Sequence, residues 1–264
     1  MAVGKNKAAQ NRRAVIADLQ RKNKRQDAVR NWGIVGVCVL IAVGVMAYPL
    51  MKLWHAKNPP YSNTALQDIG GSPQAAGCGA ITKIKNTMGY AHVTTDVTYS
   101  TAPAAFGNHW IAAGTAPLPM DRKFYGSADA PRLEQLVHNL EHGYTILWYD
   151  DTITGKELDE VKGIANKFAG DTDFRDKFIA APWTAADAAS VYKKGDPQTV
   201  FPAGTHIAFD HWSVGGNAGS LLPDGEGVFQ YCASPSGAAL KAFMAAYPYT
   251  DSREPQGMSG TGVN

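Results

Sequence analysis

His138, Glu141 and His142 fall within one short run, Val137-His138-Asn139-Leu140-Glu141-His142-Gly143. Imidazoles with a carboxylate are zinc donors, and imidazoles with a thioether suit copper. Such chemistry requires that one side of an element present the donors together. A helix of about three turns is predicted from Ala130-Pro131 to Gly143. Proline fits a first turn, where its missing N–H has no partner to lose, and glycine fits the position past the end, where φ turns positive. Stepped at about 100° per residue, Leu133, Leu136, Val137 and Leu140 share one face, and Glu134, His138, Glu141 and His142 share the other. Residues four apart on a helix are neighbours, so the rings of His138 and His142 rise one turn apart.

His-x-x-Glu-His is also the zinc pattern of the inverzincin peptidases, with the glutamate as general base. Here the portion outside the apolar segment is small for such an enzyme, and no downstream glutamate ligand can be assigned. A third imidazole is expected from His109 in Gly107-Asn108-His109-Trp110, within a loop broken by Pro103, Gly107, Gly114 and Pro117. Loops of this kind carry sites. Met258 supplies a thioether near the C-terminus. The expected metal set is thus His109, His138, Glu141, His142 and Met258, holding copper or zinc. The competing view makes these histidines buried hydrogen-bonding residues.

The elements that must position this set are legible in part. Ala91 to Tyr99 alternates and is rich in β-branched residues, which predicts a strand. Tyr144-Thr-Ile-Leu-Trp-Tyr149 predicts a buried strand next to the helix. Thr154-Gly-Lys-Glu157 reads as a capping box opening a helix through Phe168. Asp173 to Ala180 reads as a second helix ended near Pro182-Trp183. A loop through Lys193-Lys194-Gly195-Asp196-Pro197 leads to a strand over Thr205 to Trp212, with Asp210 and His211 closing it at an edge. Ser234-Pro235 opens the last helix, striped by Leu240, Phe243 and Met244. The predicted class is α+β: a transmembrane helix, then a compact extracytoplasmic domain with a small, mainly antiparallel sheet packed by several helices.

Residues 1–30 carry nine Lys or Arg against Asp18 and Asp27, a net +7, so the chain's total of +2 leaves −5 for the remainder. From Asn31 to Met51 no residue is charged, and about twenty such residues span the hydrocarbon of a bilayer. Trp32 and Trp54 bracket the segment, and the basic lead places the N-terminus in the cytoplasm. The long lead and the lack of a small-x-small site after Tyr48 argue for an uncleaved signal anchor in the plasma membrane rather than a signal peptide. The expected layout is a basic tail over 1–30, a span over 31–51, a stalk over 52–76 with Asn58-Pro59-Pro60 and Gly70-Gly71, a folded domain over 77–250 and a flexible tail over 251–264. The basic tail suits anionic lipid. It lacks the interleaved aromatics of a nucleic-acid binder, and no Gly-x-Gly-x-x-Gly or Walker A run supports a nucleotide.

Of three cysteines, Cys38 falls inside the span. Cys78 and Cys232 then share the oxidising side, and a disulfide between them is expected, two free thiols being the alternative. No Cys-x-x-Cys is present, which argues against thiol exchange.

Cys78, a strand ending in Tyr99, the loop to His109, the run Leu136-Val-His-Asn-Leu-Glu-His-Gly-Tyr144, Cys232 and a helix closing on Tyr247-Pro248 together resemble the family known as domain of unknown function 3105 (DUF3105). The resemblance covers about residues 76–260, and it implies the layout of the family's actinobacterial members: basic tail, one span, outer domain. Where the family pattern reads Pro-Pro-Thr-Ser-Gly-x-His, this chain reads Pro103-Ala-Ala-Phe-Gly-Asn-His109. The histidine is kept and the hydroxyl-bearing neighbours are not. The resemblance implies no activity.

Three functions fit these residues: an outward-facing metal-handling protein, a non-catalytic accessory subunit or scaffold of a membrane complex, and a small metal-dependent hydrolase with Glu141 as base. The first two rank above the third, so a non-enzymatic role is expected.

Overall fold

A computed structural model describes residues 2–57, 59–112, 115–191, 200–216 and 222–257, the side chains of 2–19 and 52–57 excepted. Two compact units divide the chain, residues 1–58 and 59–264. The first is one helix, α1 (Ala2–Lys57), with Pro49 inside it. Its stretch from Gln20 to Met51 is long and apolar enough to cross a membrane. Val39, Leu40, Ile41 and Val45 are exposed along it, as a lipid-facing helix requires and a core helix does not.

The second unit is built on a five-stranded sheet of order β1 (Thr82–Lys85), β7 (Glu226–Cys232), β6 (Ile207–Ser213), β4 (Thr145–Tyr149), β5 (Phe178–Pro182). All neighbours are antiparallel except β4 and β5. Those two are joined through α3 (Gly155–Ala165), the crossover that a parallel pair demands. The architecture is the expected α+β. A separate two-residue parallel ladder pairs β2 (His92–Val93) with β3 (His109–Trp110). The remaining helices are α2 (Leu133–Glu141), α4 (Ala185–Ser190) and α5 (Gly237–Ala246).

The central strands are buried on both faces, which is why Tyr144 to Tyr149 reads as an unbroken apolar run rather than an alternation. On one face Ile146, Trp148, Trp212 and Phe229 pack against Leu133, Leu136, Val137 and Leu140 of α2. On the other, Leu147, Phe178, Phe209 and Val228 pack against Val161 and Ile164 of α3 and Leu240 and Phe243 of α5. Each such buried side chain contributes roughly 1.5–3 kcal/mol. Cys78 and Cys232 form a disulfide across 154 residues, which the chain-entropy argument values at about 5 kcal/mol.

Several expectations change. The segment taken as a stalk is folded from Pro59: Ile69 is fully buried in the second core, and backbone bonds from Gly71 to Pro235 and from Gly237 to Ile69 pin it to the start of α5. The first seven residues of the segment taken as a flexible tail, 251–257, are packed, with Asp251 and Ser252 buried. The strand over Ala91 to Tyr99 shrinks to β2. The helix over Asp173 to Ala180 is instead a single 3₁₀ turn, Phe174–Asp176, followed by β5. Parallel pairing to β4 and burial of all five residues outweigh local propensity there. Asp210 and His211 lie on β6, the middle strand, not at an edge. Thr154 does start α3, without the expected side-chain cap. The Lys193–Pro197 loop lies outside the described residues.

Candidate metal centre

α2 begins at Leu133, two residues beyond Pro131, and ends as expected before Gly143, whose φ is +86°. A Cβ at residue 143 would meet the Tyr249 carbonyl oxygen at 2.3 Å, so the site's exit turn requires glycine twice over. Leu136, Val137 and Leu140 fix the helix against the sheet, which turns His138 and Glu141 toward the β2–β3 ladder. In that ladder His92 sits in register with His109. Register partners point the same way, so the two rings lie edge to face with centroids 4.8 Å apart.

The result is a cluster of His92, His109, His138 and Glu141, whose donor atoms all lie within 4.8 Å of one another. Glu141 Oε2 is 2.9 Å from His109 Nε2 and 3.4 Å from His92 Nε2. Four donors at about 2.0–2.1 Å from a zinc ion in a tetrahedron are about 3.3 Å apart. His109, His138 and Glu141 are nearly or fully buried, whereas the His92 side chain is 37% exposed.

The tautomers follow from what each ring's other nitrogen does. His109 Nδ1 donates to the Gly107 carbonyl at 2.8 Å, and His138 Nδ1 donates to the Trp110 carbonyl at 2.5 Å. With Nδ1 spent on a carbonyl in both rings, Nε2 is the nitrogen left for the cluster, the arrangement in which a backbone carbonyl orients a ligating histidine. Burial, then the charges of His109 and His142, push His138 down to about 3, so it stays neutral. Burial alone would raise Glu141. The hydrogen bond to His109 and that ring's charge, joined by His92 and His138, outweigh burial and hold the carboxylate below its ordinary value. The 2.9 Å contact of His109 Nε2 with Glu141 Oε2 holds either a shared proton, as an imidazolium–carboxylate pair, or a cation between the two atoms.

His109, His138 and Glu141 are thus brought together, and His142 is not one of the group. It is the C-cap of α2, where the chain already leaves the helix, and its Nδ1 turns to the Glu254 carbonyl at 3.1 Å. Its ring only stacks on that of His138. Met258 lies outside the described residues. His92 was invisible in the sequence, because only a two-residue tertiary pairing makes it a neighbour of His109.

Three imidazoles and a carboxylate, gathered where α2 meets the β2–β3 ladder, form a group that could hold a metal ion. The family described as protein of unknown function (DUF3105) matches residues 92–192 of the chain, which is similar to it over that stretch. That stretch holds all four clustered donors and His142. No curated protein and no solved structure matches the chain.

Proposed function

We propose that the chain is a single-pass membrane protein whose outer domain binds one divalent transition-metal ion, zinc best, through His92, His109, His138 and Glu141. What carries the reading is the convergence of four donor atoms, those of His92, His109, His138 and Glu141, within 4.8 Å of one another. Bound there, the ion would take the place of the proton that joins His109 Nε2 to Glu141 Oε2 at 2.9 Å. Three imidazoles and a carboxylate are a donor set that suits zinc. Nine basic residues ahead of the apolar stretch support a cytoplasmic N-terminus, and the Cys78–Cys232 disulfide supports an oxidising compartment for the domain.

The hydrolase reading loses its geometry. It needs both histidines of the His-x-x-Glu-His run on the ion and the glutamate free as base, whereas His142 stands outside the converging group with its Nδ1 on the Glu254 carbonyl, and Glu141 stands among the donors. A role in metal storage or delivery, or as a metal-stabilised accessory of a membrane complex, fits the site. Elemental analysis of the full chain purified in detergent tests the proposal. One equivalent of metal is expected, and none in the His109→Ala/His138→Ala variant. A folded natural chain that stays metal-free after incubation with zinc overturns it.

A further inference from the structure

The segment from Tyr249 to Gly257 reads as polar and loose in sequence, yet it is tied down at every few residues. His211 Nε2 contacts the Asp251 carbonyl at 2.8 Å. The Asp251 carboxylate accepts from Ser213 Oγ at 2.7 Å and from the N–H groups of Val214 and Gly216 at 3.0 and 2.7 Å. The N–H of Glu254 reaches the Glu141 carbonyl at 3.0 Å, and Lys177 Nζ donates to the carbonyls of Pro255 and Gly257 at 2.8 and 2.6 Å. At Gly257 a Cβ would fall 2.4 Å from the His142 ring. The strap can lie in one place only.

That place delivers Arg253 to the metal cluster. Its guanidinium lies over the Tyr90 ring at 3.5 Å, and its Nη1 donates to the Pro223 carbonyl. Its Nε sits 3.4 Å from Glu141 Oε1, buried and without a hydrogen bond among the described residues. The two oxygens of Glu141 are therefore divided. Oε2 faces His109 and His92, and Oε1 faces Arg253. A carboxylate with both oxygens free can take a cation through both, which raises the coordination number and favours larger ions.

We propose that Arg253 is a positioning residue: by engaging Oε1 it confines Glu141 to one-oxygen coordination through Oε2 and so keeps the site four-coordinate. The inference rests on the metal-binding reading above. Residues that orient a ligating carboxylate commonly change metal affinity by about 10–100-fold.

Cobalt(II) loaded into the full chain in detergent is the probe, because its visible absorption is strong when tetrahedral and weak at higher coordination number. Arg253→Met and the neutral, shorter Arg253→Gln are expected to weaken the band and lower cobalt affinity about tenfold. Arg253→Lys, which keeps a cation near Oε1, is expected to retain the natural spectrum. Melting of the metal-free variants separates misfolding from a change of coordination. An Arg253→Gln or Arg253→Met spectrum identical to that of the natural chain overturns the inference while leaving metal binding intact, as does weaker binding with an unchanged spectrum. A natural chain that takes up no cobalt removes both.

Discussion

Lys177 and Glu141 are both buried charges near the end of α2, and they solve the problem of burial in opposite ways. Lys177 directs its ammonium at three carbonyls, those of His142, Pro255 and Gly257, at 2.6–2.8 Å, with the Phe174 ring 4.4 Å away. Burial pushes it down to about 7, and three acceptors for three N–H donors are what favour the charged form against that. Its group is closed. Glu141 and the rings beside it instead gather potential metal donors around a common point. Lys177 spends every polar hydrogen on the fold; the group around Glu141 is one that could take a metal ion.

The largest effect that sharpens this contrast is expected from Lys177→Met. Three buried carbonyls lose their donor and the strap loses its anchor, so urea unfolding should show a loss of about 3 kcal/mol or more. A change within about 0.5 kcal/mol would make Lys177 dispensable and the contrast empty.

Asp210 offers a pH test. On the middle strand, burial pushes its carboxyl well above the ordinary range, against a weaker opposing contribution from Trp148, and neither oxygen closes a hydrogen bond among the described residues. The folded state thus keeps a proton that the unfolded chain releases near pH 4. The cost is absent below that and grows as pH rises, by about 1.4 kcal/mol for each unit over which only the folded state is protonated. Asp210→Asn removes this slope. Its stability should match that of the natural chain near pH 4 and exceed it at pH 7; parallel curves would refute the buried neutral acid.

A smaller effect, and the one most at odds with a structural role, is expected from Glu141→Gln. The amide can donate to His109 Nε2, so the metal-free variant should be as stable as the natural chain or up to about 1 kcal/mol more so. Metal binding should meanwhile fall. Destabilisation by several kcal/mol would place Glu141 with Lys177 as a fixture of the fold.

The same division governs what could be read from sequence. α2 and β4 were legible because their apolar residues recur with the period of the element or fill it. The disulfide was legible because only two cysteines share one side of the apolar span. β5 was not, since Phe178-Ile-Ala-Ala gains its strand identity from pairing with β4. The packed parts of the stalk and tail were missed for a related reason: polar, glycine-rich segments are held here by backbone bonds to distant partners, such as Gly71 to Pro235 and Glu254 to Glu141. His109, His138 and Glu141 could be nominated by type and spacing. His92 and Arg253 could not, because each reaches Glu141 only through tertiary structure.

Sequence spacing and geometry make different choices of fourth ligand, His142 in one case and His92 in the other. Zinc affinity, measured by competition titration on His92→Ala and His142→Ala side by side, decides between them. The account predicts about a hundredfold or greater loss for His92→Ala, as expected for removal of a direct ligand where loss of a second-layer group costs about 10–100-fold, and a change of only a few-fold for His142→Ala. The reverse order, with His142 essential and His92 dispensable, would contradict the site.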